Sequence, residues 1–311
     1  MEASPRIVFM GTPDFAVASL KALVEAGKNV VAVITAADKP AGRGLKLTPS
    51  PVKVYAASQG LKVLQPEKLR NRDFLQELRS LSADLFVVVA FRMLPEAVWS
   101  MPRLGTFNLH ASLLPQYRGA APINWAVING EEATGVSTFL IEKEIDTGRI
   151  IFQDRERIHP EDTAGDLYER LMQKGAALVV KTVDALGAGS FPSVVQDAND
   201  DLRPAPKLFR EDGQIDWQKD TSSIYNLVRG LSPYPAAWTT LDGLNCKIYR
   251  TEKVSFQGSA LPGDYVTDGK SYLYFKTGDG WLAATELQLE GKRKMGIADF
   301  LRGYKPASTR S

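Results

Sequence analysis

The chain has 311 residues, a formal net charge of +2 from 38 Lys and Arg against 36 Asp and Glu, two histidines and one cysteine. One cysteine excludes an intramolecular disulfide and a cysteine-rich zinc module; a zinc site would need nearly every soft ligand in the chain, so no metal is expected. A hydrophobic share of 44% with 24% charged residues fits a soluble globular protein, too long for one domain of ordinary size.

Strand and helix signals alternate over the first two hundred residues. Ile7-Val8-Phe9-Met10 is a buried strand stopped by Gly11, and a helix follows with Thr12 as the expected N-cap and Pro13 at its first position. Gly27 is the expected stop of that helix. A single glycine at position 11 is not the dinucleotide fingerprint and reads as a tight turn. Val30–Ile34 is a second strand, 38–52 is broken by Pro40, Pro49, Pro51, Gly42 and Gly44, and 66–80 reads as a charged helix before the strand Leu85–Val89. Continuous apolar strands of this kind are covered on both faces, so the fold class is α/β, Rossmann-like, with a largely parallel sheet.

A long helix is expected over 162–186, ending at Gly187, and the small, polar and proline-rich stretch after it reads as a linker. A helical piece over 222–231 then leads to short alternating segments separated by Asp242-Gly243, Asp268-Gly269 and Asp279-Gly280. Those turn signals predict a small antiparallel β-barrel of OB-like type. The expected organisation is 1–189 as the catalytic domain, 190–208 as linker and 209–311 as the barrel. No run of eighteen apolar residues suggests a membrane span, and the first residues lack the layout of a signal peptide, so no membrane partner and a cytoplasmic location are expected.

The chemistry concentrates in 107–122. Asn108 and His110 are two apart, so on a strand both side chains project from one face. An amide and an imidazole on one pocket can polarise a carbonyl and hold a developing oxyanion. Asp146, in Glu144-Ile145-Asp146-Thr147-Gly148, sits in a turn; if that turn returns to the same sheet end, its carboxylate can hydrogen-bond His110 and favour the charged imidazole. Taken singly, His110 reads as a core histidine and Asp146 as a turn aspartate. His159, before a helix, reads as a capping residue.

In combination these residues mean more. Asn-x-His-x-Ser-Leu-Leu-Pro over 108–115, then Arg118-Gly119 and Asp146-Thr147-Gly148, resembles the folate-dependent formyltransferase family. Segments 10–16, 39–44, 49–53, 112–122, 229–235 and 287–295 resemble those members of the family that formylate the methionine carried by initiator tRNA. Phe91-Arg92 stands where such members often have Tyr-Gly.

The resemblance implies a transfer of the formyl group of 10-formyltetrahydrofolate to that methionine's α-amine, with Asn108, His110 and Asp146 catalytic, no metal, and a monomer as the working form. It places folate along Ser112, Leu113, Leu114 and Pro115 and near Phe91, Arg92, Met93 and Leu94. It brings the 38–53 loop, which carries Lys39, Arg43, Lys46 and Lys53 against Asp38, to the tRNA, with Arg43 and Lys46 as the contacts. From Asp201 onward there are 16 Lys and Arg against 13 Asp and Glu, and Lys292, Arg293, Lys294 and Arg302 suit backbone phosphates. Two alternatives stay open: a formyltransferase acting on a small amine such as an amino sugar, which needs no basic loop or barrel, and a non-catalytic RNA-binding protein, which has no need of the Asn108, His110 and Asp146 set.

Overall fold

The computed structural model describes residues 4–41, 46–197 and 201–305. In chain order the elements are β1 (Ile7–Gly11), α1 (Asp14–Glu25), β2 (Val30–Ile34), β3 (Lys39–Ala41), β4 (Lys46–Thr48), α2 (Pro51–Ser58), β5 (Val63–Leu64), α3 (Arg72–Ser80), β6 (Leu85–Val89), α4 (Glu96–Trp99), β7 (Thr106–His110) and α5 (Pro122–Ile128). There follow β8 (Ala133–Leu140), β9 (Ile150–Arg157), α6 (Ala164–Gly187), α7 (Thr221–Leu231), β10 (Ala237–Leu241), β11 (Leu244–Val254), β12 (Tyr265–Thr267), β13 (Leu273–Lys276), β14 (Trp281–Leu289), β15 (Met295–Gly296) and α8 (Ile297–Gly303). They divide into two compact units. One holds Met1–Gly119, Thr134–Glu156 and Tyr168–Pro204; the other holds Ala120–Ala133, Arg157–Leu167 and Ala205–Ser311.

The first unit is built on a seven-stranded sheet in the order β5-β2-β1-β6-β7-β8-β9. The pairs β5–β2, β2–β1, β1–β6 and β6–β7 are parallel, and β8 runs antiparallel to β7. Every residue of β1 and β6 is buried, as the unbroken apolar runs require. On one face Val8, Met10, Phe86 and Val88 pack with Phe74 and Leu78 of α3 and Val98 of α4. Each such side chain contributes roughly 1.5–3 kcal/mol by leaving water. The first helices step outward from β1 to β2 and β5; the chain then crosses to β6 on the other side of β1. That reversal puts a crevice at the carboxyl ends of β1 and β6, where open α/β sheets bind ligands.

Local sequence accounts for most helix ends, with three differences from expectation. Pro13, not Thr12, is the N-cap of α1 and offers no side-chain acceptor; the phenolic oxygen of Tyr168 takes the Phe15 N–H instead, at 2.9 Å. Gly27 ends the helix at φ +64, with Lys28 N–H bonded to the Leu23 carbonyl and Gly27 N–H to that of Val24, a Schellman arrangement. The charged helix expected from residue 66 begins only at Arg72, because Asn71 caps it by accepting the Asp73 and Phe74 N–H groups. Finally, the proline-rich 38–52 stretch is not wholly irregular: β3 and β4 form an antiparallel ribbon with Pro40 opposite Leu47, and Ser50 caps α2. A two-stranded ribbon has free edges, which is where a strand proline is tolerated.

The second unit centres on an all-antiparallel, curled six-stranded sheet, a half-barrel, in the order β10-β11-β14-β13-β12 with β15 on β14. The three Asp-Gly pairs fall at its hairpins, Asp242 and Gly243 both having positive φ between β10 and β11, as a two-residue hairpin turn demands. Ile248, Leu273, Phe275, Leu282 and Leu287 form its core with Ile224 and Val228 of α7. Buried Arg229 donates to the Asp162 carbonyl at 3.1 Å and to Asn226 at 2.8 Å, and burial lowers its pKa. A side chain at Gly230 would collide with Ile128 of α5, so this glycine lets α7 lie against α5.

Candidate active site

Register builds the site from β7. Leu109 faces α6, where Gly175 admits its side chain, so Asn108 and His110 project from the opposite face. His110 is 6% exposed, and its Nε2 lies 2.8 Å from the carbonyl oxygen of Tyr117. A carbonyl has no proton to give, so Nε2 carries the hydrogen and Nδ1 is the free position of the ring. Asn108 is partly exposed beside it.

Tyr117 holds that carbonyl in place at φ +60, with its own N–H bonded to the Arg203 carbonyl at 2.7 Å. The 111–116 stretch before it is tied down as well. Ser112 donates to the Gln116 carbonyl, Ser137 to the Ser112 carbonyl, and Gln153 to the Leu114 carbonyl. Leu114-Pro115 is a cis peptide. Ser112 and Leu114 are buried and Leu113 half-buried.

Asp146 arrives by a route that the sequence does not announce. Because β8 is antiparallel to β7, Leu140 at its end stands opposite Phe107, three residues before His110. The connection to β9 must therefore fold back along β7 by roughly 10 Å to bring its carboxylate to His110. It does so: Asp146 Oδ2 is 3.8 Å from His110 Nδ1, within ion-pair reach but longer than a hydrogen bond. The same oxygen accepts the Gly119 N–H at 3.0 Å. Asp146 itself sits at φ +54, a left-handed conformation that aspartate tolerates better than most residues. Gly148 is demanded by packing, since a Cβ there would run into the Leu140 carbonyl oxygen.

The residues expected around folate lie at the switch point of the sheet. Gly11 of β1 is opposite Val89 of β6, and Val89 opposite Leu109 of β7, so residues 90–94 follow directly from the strand between them. Met93 is 73% exposed while Leu94 beside it is buried. An uncovered apolar side chain next to strand-end backbone fits a flat, hydrogen-bonding heterocycle. Arg92 is exposed, and its guanidinium donates to the carbonyls of Glu67, at 2.8 Å, and Pro66; partial desolvation lowers its pKa. Gly11 is a steric necessity, because a side chain would meet Ala16, Phe9 and the Val89 carbonyl.

Of the expected tRNA contacts, Arg43 lies outside the described residues, and only the backbone of Lys46 is described, in β4. Lys53 is paired with Asp38 at 2.6 Å. Lys292, Arg293 and Lys294 are exposed in the β14–β15 turn. Lys294 pairs with Glu286 at 3.0 Å, and Arg302 with Asp299. Tyr117, Gly119 and Gln196 are site residues to which sequence reasoning assigned no role. The first two lie inside the motif stretch, but nothing in their spacing marks their backbone groups as partners of His110 and Asp146. Among the described residues no three His, Cys, Asp or Glu side chains converge as a metal site, and no helix is long and apolar enough to cross a membrane.

Comparison with known proteins identifies the family. The profile of the formyl transferase family matches residues 5–183, and that of the formyl transferase C-terminal domain matches 207–305. The methionyl-tRNA formyltransferase of Parabacteroides distasonis is 57% identical over 310 residues, and that of Phocaeicola vulgatus 59% identical over 310, each alignment covering 96% of both chains. Among solved structures, the N-formyltransferase of Helicobacter canadensis in complex with folinic acid and dTDP-3-aminofucose superposes with a TM-score of 0.66 at 22% identity, covering 90% of this chain and 98% of the other. HypX of Aquifex aeolicus with tetrahydrofolic acid gives 0.67 at 18%, covering 98% and 49%. These two likenesses speak to the fold. With the family profile spanning more than half its length and close relatives aligned nearly end to end, the chain belongs to the formyl transferase family.

Proposed function

We propose that the protein transfers the formyl group of 10-formyltetrahydrofolate to the α-amine of the methionine carried by initiator tRNA, acting as a monomer in the cytoplasm. The observation that carries the chemistry is a buried imidazole with one nitrogen committed to a backbone carbonyl and the other turned toward a carboxylate, beside a partly exposed amide. Identity of 57–59% with methionyl-tRNA formyltransferases over nearly the whole chain supports the acceptor.

The folate supplies a formyl carbon and a nitrogen that can leave. As the methionine amine attacks, its new C–N bond puts negative charge on the formyl oxygen; collapse then breaks the bond from that carbon to the folate nitrogen, the amine losing one proton and the leaving nitrogen gaining one. The Asn108 amide and a proton on His110 Nδ1 are the donors for the formyl oxygen, each worth roughly 3–4 kcal/mol in comparable sites. Nε2 is occupied by Tyr117, so proton exchange with the reacting groups passes through Nδ1. Asp146 balances the charge on the ring and keeps Nδ1 facing one way. Ser112, Leu113, Leu114, Pro115 and 91–94 would hold the folate, with Arg92 bracing that segment. Arg43, Lys46, Lys292, Arg293, Lys294 and Arg302 would meet phosphates of the tRNA.

The test is a choice of acceptors. The protein is mixed with 10-formyltetrahydrofolate and, separately, methionyl initiator tRNA, methionyl elongator tRNA or an amino-sugar nucleotide, and the formylated product is measured. Formylmethionine on the initiator tRNA is expected; formylation of the sugar alone would overturn the reading.

A further inference from the structure

Gln196 lies in the stretch between α6 and the second domain, where nothing in the sequence suggests a role. Its side chain is nonetheless 8% exposed and fully bonded. Nε2 donates to the Asp146 carbonyl at 2.9 Å and to the Gly148 carbonyl at 2.7 Å. Oε1 accepts from Arg118 Nε at 3.1 Å and Nη2 at 2.7 Å. Only one orientation of the amide satisfies all four contacts, because carbonyls accept and a guanidinium donates. Arg118 therefore sets which end of Gln196 faces the turn.

The turn needs such a hold. Asp146 is in a left-handed conformation, the segment carrying it has folded back along β7, and its carboxylate meets His110 at a distance where small shifts matter. Gly119 N–H fixes the carboxylate; Gln196 fixes the main chain on either side of Thr147. The backbone bridge between Ile150 and Val194 brings the 194–196 segment alongside.

We propose that Gln196, oriented by Arg118, is a positioning residue for Asp146 in the transfer reaction; the inference rests on the function proposed above. It acts through the Asp146–Gly148 backbone and touches no reacting atom. Gln196→Ala removes all four bonds. Gln196→Glu keeps the pairing with Arg118 but turns oxygens on the two carbonyls, so it separates a tie to Arg118 from a hold on the turn.

The experiment is steady-state formylation by the full chain, with both variants made in the parent and in an Asp146→Asn background. In the parent, kcat should fall by about 10- to 100-fold in each, as misplacement by an ångström or so costs, with KM for folate and tRNA within about twofold. In the Asp146→Asn background neither variant should lower kcat further, since the group they position is already gone. A wild-type kcat for Gln196→Ala and Gln196→Glu, or an undiminished further loss beside Asp146→Asn, would overturn the inference. If Gln196→Ala does not fold, Gln196→Glu carries the same test. An Asp146→Asn variant as active as the parent would instead overturn the catalytic reading beneath it.

Discussion

His110 donates its Nε2–H to the carbonyl oxygen of Tyr117 in a 2.8 Å hydrogen bond. That single bond decides how the imidazole can work. A ring nitrogen committed to a buried carbonyl cannot exchange its proton with a substrate, so chemistry is confined to Nδ1, the nitrogen that Asp146 faces. The partner is a main-chain group, so no substitution of the Tyr117 side chain removes it.

Asn108 supplies its amide as a second donor. Asn108→Ala should lower kcat about 10²- to 10³-fold, the usual cost of one oxyanion donor, and leave KM for tRNA unchanged. Asn108→Asp should be no better, because a carboxylate opposes charge growing on the formyl oxygen. Steady-state kinetics on methionyl-tRNA measure both.

Gly148→Ala places a methyl group against the Leu140 carbonyl. Backbone cannot yield as a side-chain tip can, so the turn must move and take Asp146 with it. Activity should fall at least tenfold, with melting lowered by a few degrees, of the order that 1–2 kcal/mol produces. Thermal unfolding and kinetics on one preparation would reveal the joint effect.

Asp38 accepts from Gln65 Nε2 at 2.8 Å and pairs with Lys53, and these contacts hold its carboxyl below the ordinary aspartate range. A carboxyl whose folded pKa is depressed stabilises the native state above its unfolded pKa and loses that contribution as pH falls through the folded one. The stability difference between the parent and Asp38→Asn should therefore be steady from neutral pH to about 5 and shrink below about 4. Urea unfolding across that range gives the measurement; a difference that grows toward acid contradicts it.

Cys246 is buried in β11, and burial pushes its thiol up to about 12. At pH 7–8 the native protein should not react with a maleimide or with a disulfide reagent on the minute scale, and one equivalent should react once urea unfolds it. Fast labelling of the native chain would show that the half-barrel opens far more readily than its packing implies.

The parallel sheet was legible because β1 and β6 are buried on both faces, which leaves an unbroken apolar run that no polar position interrupts. The β10–β11 hairpin was legible for another reason: Asp242-Gly243 supplies the positive φ that a two-residue turn requires. Helix α3 begins six residues later than the charged stretch from residue 66 suggests, because Asn71 accepts two backbone N–H groups at its start. The pairing of His110 with Asp146 was foreseen only as a possibility of topology. Its actual route, back along β7 from a point opposite Phe107, depends on register, which no local pattern encodes. Gln196 was illegible for the opposite reason: it follows Val194 and Val195 outside any regular element, and its role comes wholly from partners 48–78 residues away.

The most direct measurement of the central claim is single-turnover formylation of methionyl initiator tRNA by His110→Ala beside the parent, with tRNA and folate binding measured on the same samples. A loss of at least about 10³-fold in the chemical step is expected, with both affinities within about threefold and the melting temperature close to that of the parent. Formylation within about tenfold of the parent rate, at saturating folate and tRNA, would contradict it and take the catalytic role away from His110.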